Sequence, residues 1–186
     1  MHRIKLSVSL LALLVTATTV AGANSTAPRR FTLPEHGQFV IEVPGDWKGE
    51  MSQPANRMPP TIAFTPASGK PFQIMMTTIW PATKDRQPQS RDELRATVQR
   101  GVDGAKTQAV EKELRVVEFQ GRTGPGFYFS ATDRAPRPDE YKFLTQGIVR
   151  VGELSVTFTI LTNDGQETIV KQALDALKGA TQEPTA

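Results

Sequence analysis

The chain of 186 residues contains no cysteine and has a formal net charge of +3. The absence of thiols excludes disulfides, cysteine nucleophiles, iron–sulfur clusters and zinc sites built on thiolates. Two of the positive charges, Arg3 and Lys5, lie in an N-terminal signal, so the processed chain has a net charge of +1. Its other basic residues are scattered, which argues against binding of nucleic acid, because that function needs a basic patch or stripe.

Residues 1–23 have the three parts of a secretory signal peptide. Positive residues precede an apolar stretch over residues 6–20, and the small residues Ala21, Gly22 and Ala23 suit signal peptidase. The apolar stretch is shorter than the roughly 20 residues that cross a bilayer, and no cysteine follows it to carry a lipid. We therefore predict cleavage near Ala23, no stable membrane anchor and a periplasmic or secreted protein. The remaining 163 residues suit one domain.

The first half of the processed chain is predicted to be rich in strands. A polar leader over residues 24–30 precedes strands over 31–34 and 38–43, and the second of these alternates apolar and polar residues. Residues 50–60 contain three prolines and are predicted to form a loop. Strands follow over 61–65 and 72–80, and the latter is apolar on both faces, which indicates a central strand. Residues 81–89 are predicted to form a polar linker.

A helix is predicted to begin after Ser90. Ser90 and Glu93 have the spacing of a capping box, in which each side chain bonds a free main-chain N–H group. Gly101 and Gly104 either weaken the later turns of this helix or allow it to approach a sheet closely. The apolar residues that recur at helical spacing are Leu94, Val98, Val102 and Ala105.

The second half is predicted to contain two hairpins and a closing helix. The hairpins cover residues 114–132 and 140–162, and the loop between them covers 133–139. The closing helix is predicted to begin at Asp164, with Glu167 completing a second capping pattern, and residues 181–186 are predicted to form a flexible tail. The resulting fold class is α+β: one domain over residues 31–180, with an antiparallel β-sheet covered by two main helices in α/β/α layers.

This order of elements resembles the PsbP-like fold, which extrinsic photosystem proteins share with the Ran-binding Mog proteins. Residues 39–47 are similar to the family's strand–Pro–x–x–Trp entry. Residues 146–149 with Gly152 resemble its late hairpin, and residues 154–162 running into the closing helix resemble its end. The resemblance covers roughly residues 31–177 and, with the signal, is closest to bacterial envelope members of the fold. It implies a mostly non-catalytic protein that binds larger assemblies, small GTPases or, in some members, metal ions.

The residues that carry chemistry are sparse. His36 is the one histidine after the signal, and we interpret it as a solvent-facing turn residue, because a zinc site needs three or four ligands. No catalytic residue, metal site or cofactor is therefore predicted. Paired carboxylates would support a hydrolase, but each candidate lies in a turn or at a strand edge, where solvated carboxylates are common. These candidates are Glu35, Glu42, Asp46, Asp133, Asp139 and Glu140.

Trp80, Tyr128 and Tyr141 are the candidate binding residues. Aromatic side chains with a polar group anchor interfaces when exposed, although the core or a strand end is the more common place for them. A binding face is expected near Trp80, residues 81–89 and the loop 133–139. The leading hypothesis is an exported, soluble, non-catalytic binding or assembly-accessory protein whose partner is another envelope protein. The alternatives are a small-ligand carrier with an apolar cavity between sheet and helix, and a carboxylate-based hydrolase.

Overall fold

The computed structural model describes residues 25–54, 58–81 and 87–184. The predicted signal peptide, residues 82–86 of the predicted linker and the last two residues lie outside this description. The described elements are the strands β1 (Thr26–Leu33), β2 (Gly37–Pro44), β3 (Trp47–Ser52), β4 (Thr61–Pro66) and β5 (Gln73–Ile79), the helix α1 (Arg91–Ala105), the strands β6 (Val117–Gln120), β7 (Pro125–Thr132), β8 (Phe143–Val151) and β9 (Leu154–Thr162), the helix α2 (Glu167–Gly179) and the strand β10 (Thr181–Glu183). Neither described helix is long and apolar enough to cross a membrane.

Two antiparallel sheets organise the domain. The larger has seven strands in the order β3-β4-β5-β9-β8-β7-β6, and the smaller has three in the order β1-β2-β10. The predicted hairpins β6–β7 and β8–β9 are present, and Gly152 makes the tight turn of the second with a positive φ of 62°. β5 lies between β4 and β9, as expected for a central strand.

The large sheet carries an apolar core on each face. Successive residues of a strand point to opposite faces, so Ile148 and Val149 on β8 belong to different cores. One core lies under α2 and the small sheet, with Trp47 and Phe158 among its largest members. The other core lies under α1, where Val98 packs with residues of strands β7 and β8. This arrangement confirms the α+β class and the α/β/α layers.

The two helix starts differ. At α1 the capping box is complete: the Glu93 N–H donates to Ser90 Oγ (3.3 Å), and the Ser90 N–H donates to the Glu93 carboxylate (2.7 Å). The predicted start of α2 at Asp164 is wrong. The helix begins at Glu167, because Gly165 has a positive φ of 80° and the Asp164 carboxylate binds the ammonium of Lys142 (2.8 Å).

The small sheet corrects two predictions about the ends of the domain. Most of the predicted polar leader belongs to β1, which pairs with β2 from Thr26 to Leu33. Part of the predicted flexible tail is β10, which pairs with the other side of β2. Both segments are polar, and strand pairing uses main-chain groups whatever the side chains are. The predicted loop over residues 50–60 also begins too early, since β3 extends to Ser52 and pairs with β4.

Candidate binding groove

The three candidate aromatic residues occupy different places. Tyr128 lies on the α2 face of the sheet, where it packs against the first core and lies 5.9 Å from the Phe119 ring. Trp80 also packs against the first core and lines a hollow beside α1, while Tyr141 lines a second hollow beside the end of α1. The structure therefore packs Trp80 and Tyr128 against one core, and it places Trp80 and Tyr141, but not Tyr128, at the two hollows beside α1.

The hollow beside Trp80 has a volume of about 380 Å³. Its walls include residues 87–89 and the α1 residues Thr97 and Arg100, and its floor includes Ser155 and Thr157 of β9. Ser155 is only 5 % exposed, and its hydroxyl makes no hydrogen bond with the described part of the chain. A buried hydroxyl in this position is available to a ligand.

His36 contributes to the packing of Trp80. The two rings stack with their centroids 4.4 Å apart and their planes at 28°. His36 lies in a turn, as predicted, but it is half-buried rather than fully facing solvent. Gln182 of β10 donates a hydrogen bond to the His36 carbonyl (2.9 Å) and so holds the turn in place. The C-terminal strand thereby helps to position Trp80.

The hollow beside Tyr141 is smaller, with a volume of about 180 Å³. The end of α1 contributes Ala105, and the neighbouring strands contribute Leu144 and Leu161. Asp133 and Lys142 also line it. This end is therefore more apolar on its floor than the hollow beside Trp80, with one charge of each sign at its rim.

One strand connects the two hollows. Thr157, in the first, and Leu161, in the second, point to the same face of β9 because they are four residues apart. Between them lies Thr159, whose hydroxyl is 3.5 Å from the amide nitrogen of Gln146 on β8. We name the surface from the Trp80 hollow over Thr159 to the Tyr141 hollow the sheet groove. At about 3.4 Å per residue, and with a hollow at each end, it is about 20 Å long.

The two glycines of α1 have different roles. A Cβ at Gly101 would lie 3.0 Å from the Phe129 ring and 3.3 Å from the side-chain oxygen of Gln146, so this glycine allows the helix to approach the sheet. At Gly104 no described atom lies within 4 Å of such a Cβ. The first glycine serves packing, while the second leaves open space and weakens the helix.

Two of the carboxylates considered for hydrolysis, Asp133 and Glu140, accept hydrogen bonds that stabilise turns. Asp133 accepts a hydrogen bond from the Ala135 N–H (2.9 Å), and Glu140 accepts one from the Arg137 N–H (3.0 Å). Asp133 is the candidate that lines the groove. Within the described ranges, no three histidine or acidic side chains gather as metal ligands would.

A third hollow lies on the other face of the sheet, beside the start of α2. Its volume is about 260 Å³, and we name it the helix cavity. Glu111 reaches it from the segment after α1, and its carboxylate accepts hydrogen bonds from the Thr132 N–H (2.9 Å) and hydroxyl (2.6 Å). Burial opposes ionisation of Glu111, but the bonds from Thr132 outweigh this effect and lower its pKa. No local pattern marks Glu111, because its partner is 21 residues away.

No family model matches the sequence. No curated protein matches it either. Among solved structures, the chain is similar to the solution structure of cyanobacterial PsbP (CyanoP) from Synechocystis sp. PCC 6803, with a TM-score of 0.53. The match covers 90 % of this chain and 99 % of that one.

The chain has a PsbP-like fold. The structural match confirms the resemblance drawn from the strand–Pro–x–x–Trp entry and the late hairpin. The sequence identity is 12 %, so the likeness concerns the fold and carries no residue-level function. Any function of this PsbP-like chain therefore resides in its own surface residues.

Proposed function

We propose that this protein is an exported, soluble, non-catalytic binding factor of the cell envelope, and that the sheet groove holds an extended segment of another envelope protein. The observation that carries the proposal is that Trp80 and Tyr141 each line a hollow, at the two ends of a sheet face that α1 covers only in part.

The dimensions of the groove favour a single extended chain. A stable interface between globular proteins buries about 800 Å² on each partner. A groove about 20 Å long, bounded on one side by a helix, offers much less area, but it accommodates about six residues of extended peptide. The occupant is therefore a segment, and a second globular surface does not fit this shape.

The chemistry of the lining favours an uncharged polar segment. Main-chain groups of the large sheet are already paired between strands, so a ligand on its face is bound by side chains. The floor offers the hydroxyls of Ser155, Thr157 and Thr159 and the amide of Gln146. The charged residues of the lining are two cations and two anions, so the groove favours neither sign. These are Arg100, Lys142, Asp133 and Glu153.

Export and the absence of catalysis rest on the sequence. The signal pattern over residues 1–23 supports export, and N-terminal sequencing of the mature protein is expected to begin at Asn24. Retention of the signal on the accumulated protein would contradict this part of the proposal. The hydrolase alternative loses support because Asp133 and Glu140 already cap turns.

Site-specific photocrosslinking in the native cell tests the groove. A photoreactive residue at Thr157, on the groove floor, is expected to form an adduct with an envelope protein. The same residue at Thr168, exposed on α2, is the matched control and is expected to give none. The peptide attached at Thr157 should map to an extended, uncharged segment of about six residues.

A second substitution makes the result specific to the groove. Leu161→Glu places a charge in the far hollow and should abolish the adduct formed from Thr157 without changing the circular dichroism spectrum. Equal adducts from Thr157 and Thr168, persistence of the adduct in the Leu161→Glu variant, or attachment to a folded domain of the partner would each refute the proposal.

A further inference from the structure

The helix cavity combines an apolar wall with two acidic side chains. Phe143, Leu144 and Val170 supply the apolar part, while Glu111 and Glu167 supply the carboxylates. A volume of about 260 Å³ is slightly below the range of about 300–1,000 Å³ that is typical of small-molecule sites. We propose that the helix cavity binds a small organic cation with an apolar body, of the alkylammonium class. This site is separate from the sheet groove and does not depend on the function proposed for it.

The charge of the cavity is unbalanced. Glu111 and Glu167 are the charged side chains in its described lining, and no lysine or arginine is among the described lining residues. The nearby Lys142 has partners outside the lining. Its ammonium binds the Asp164 carboxylate (2.8 and 3.1 Å) and lies 5.2 Å from the centre of the Phe143 ring. The two carboxylates of the cavity therefore favour a cationic ligand.

The surroundings of Glu111 favour its ionised carboxylate. The Thr132 N–H and hydroxyl each donate to one of its oxygens, which fixes the carboxylate and lowers its pKa despite partial burial. A carboxylate accepts about four hydrogen bonds, so both oxygens retain capacity for an ammonium group. A fixed acceptor binds more tightly, because less side-chain entropy is lost.

Thr162 provides an independent indication of a ligand. It is 2 % exposed and lines the cavity, yet its side chain makes no hydrogen bond within the described ranges. Ser130 and Thr145 in the same lining are bonded to each other (2.8 Å), as buried hydroxyls normally are. The free hydroxyl of Thr162 is an acceptor for a second N–H of the ligand.

The lining also distinguishes an organic cation from a metal ion. Calcium takes six to eight oxygen ligands, and zinc takes three or four protein ligands that include nitrogen or sulfur. The cavity offers two carboxylates beside aromatic and aliphatic carbon, and the described residues contain no metal-type cluster. An ammonium group needs only a few acceptors, and its hydrocarbon body gains from Phe143 and Val170.

Three ligands of matched shape test the proposal. Mature protein is titrated with n-butylammonium, n-butanol and n-butyrate at neutral pH, and binding is followed by NMR chemical shifts at residues around the cavity. The ammonium is expected to bind about tenfold more tightly than the alcohol, as one charge-assisted hydrogen bond would give. Butyrate is expected not to bind. Equal binding of the three ligands, absence of ammonium binding, or tighter binding of calcium would overturn the proposal.

Substitutions then identify the site. Glu167→Gln, at the exposed first turn of α2, should weaken ammonium binding about fivefold to tenfold without unfolding the protein. Thr162→Val should weaken it by about threefold or more. Glu113→Gln removes a nearby exposed charge outside the lining and should leave the affinity unchanged. The same loss in all three variants would show a general charge effect and refute a site in the helix cavity.

Discussion

Thr78 contains the clearest unsatisfied group in the core. It lies on β5 opposite Val156, it is 0 % exposed, and its hydroxyl has no hydrogen-bond partner among the described residues. Replacing this hydroxyl with a methyl group in Thr78→Val preserves the shape of the side chain. The variant is therefore expected to be more stable than the wild type.

The size of the effect follows from the buried hydroxyl. An unpaired polar group in a protein interior costs about 1–3 kcal/mol relative to its hydrated state. Thr78→Val removes this penalty, and valine is also at home in a strand. We expect the free energy of unfolding to rise by about 1–3 kcal/mol, and the melting temperature by about 2–4 °C for each kcal/mol in a chain of this length.

Thr77 supplies the matched control. It is the next residue on the same strand, but it faces the other side, where its hydroxyl is 3.0 Å from that of Thr61. Thr77→Val removes a hydrogen bond and should leave stability unchanged or lower it by about 1 kcal/mol. Urea denaturation measures both variants, with an unchanged m-value required for the comparison. A lower midpoint for Thr78→Val than for the wild type would refute the reasoning.

Three further predictions use the same denaturation assay. Gly147→Ala places a Cβ 2.3 Å from a main-chain oxygen of the neighbouring strand and should destabilise the protein by about 3 kcal/mol or more. Gly104→Ala adds its Cβ to open space on α1 and should stabilise the protein by about 0.5–1 kcal/mol. Equal effects of the two substitutions would contradict the different surroundings of these glycines. Gln182→Ala removes two side-chain bonds to main-chain groups and should lower stability by about 1–2 kcal/mol, while a flexible tail would show no change. Folding lowers the pKa of Glu111, so its carboxylate stabilises the fold above its ordinary pKa and loses this effect as the pH falls through the folded value. The excess stability of the wild type over Glu111→Gln should therefore shrink as the pH falls below the ordinary pKa of glutamate, and it would be constant if the Thr132 bonds were unimportant.

The parts of the fold that are predictable from sequence depend on short-range patterns. The capping box at Ser90 and Glu93 uses neighbours within one helical turn, and the hairpin around Gly152 needs a tight turn between two alternating segments. The α2 start is mispredicted for a related reason. Asp164 has the spacing of a cap, but the positive φ of Gly165 and the pairing with Lys142 draw it away from the helix.

The candidate sites are less predictable, because each is assembled from distant residues. Trp80 and Tyr141 are identifiable as aromatic residues with polar groups, but only the packing of α1 on the sheet shows that they share a groove. Tyr128 has the same chemistry and packs against the first core, as Trp80 does, but it lines neither hollow of the groove. Side-chain type alone does not distinguish these environments.

The amino-acid sequence by itself determines the order of most elements, the layered α+β class and the absence of thiol chemistry, because periodicity, capping and composition are local or global properties of the chain. The tertiary structure decides what those properties leave open. It pairs the polar segments β1 and β10 with β2 through main-chain hydrogen bonds that carry no side-chain signature. It also brings Glu111, Thr162 and Glu167 to one cavity, where packing geometry, and no pattern along the chain, sets the distances between them.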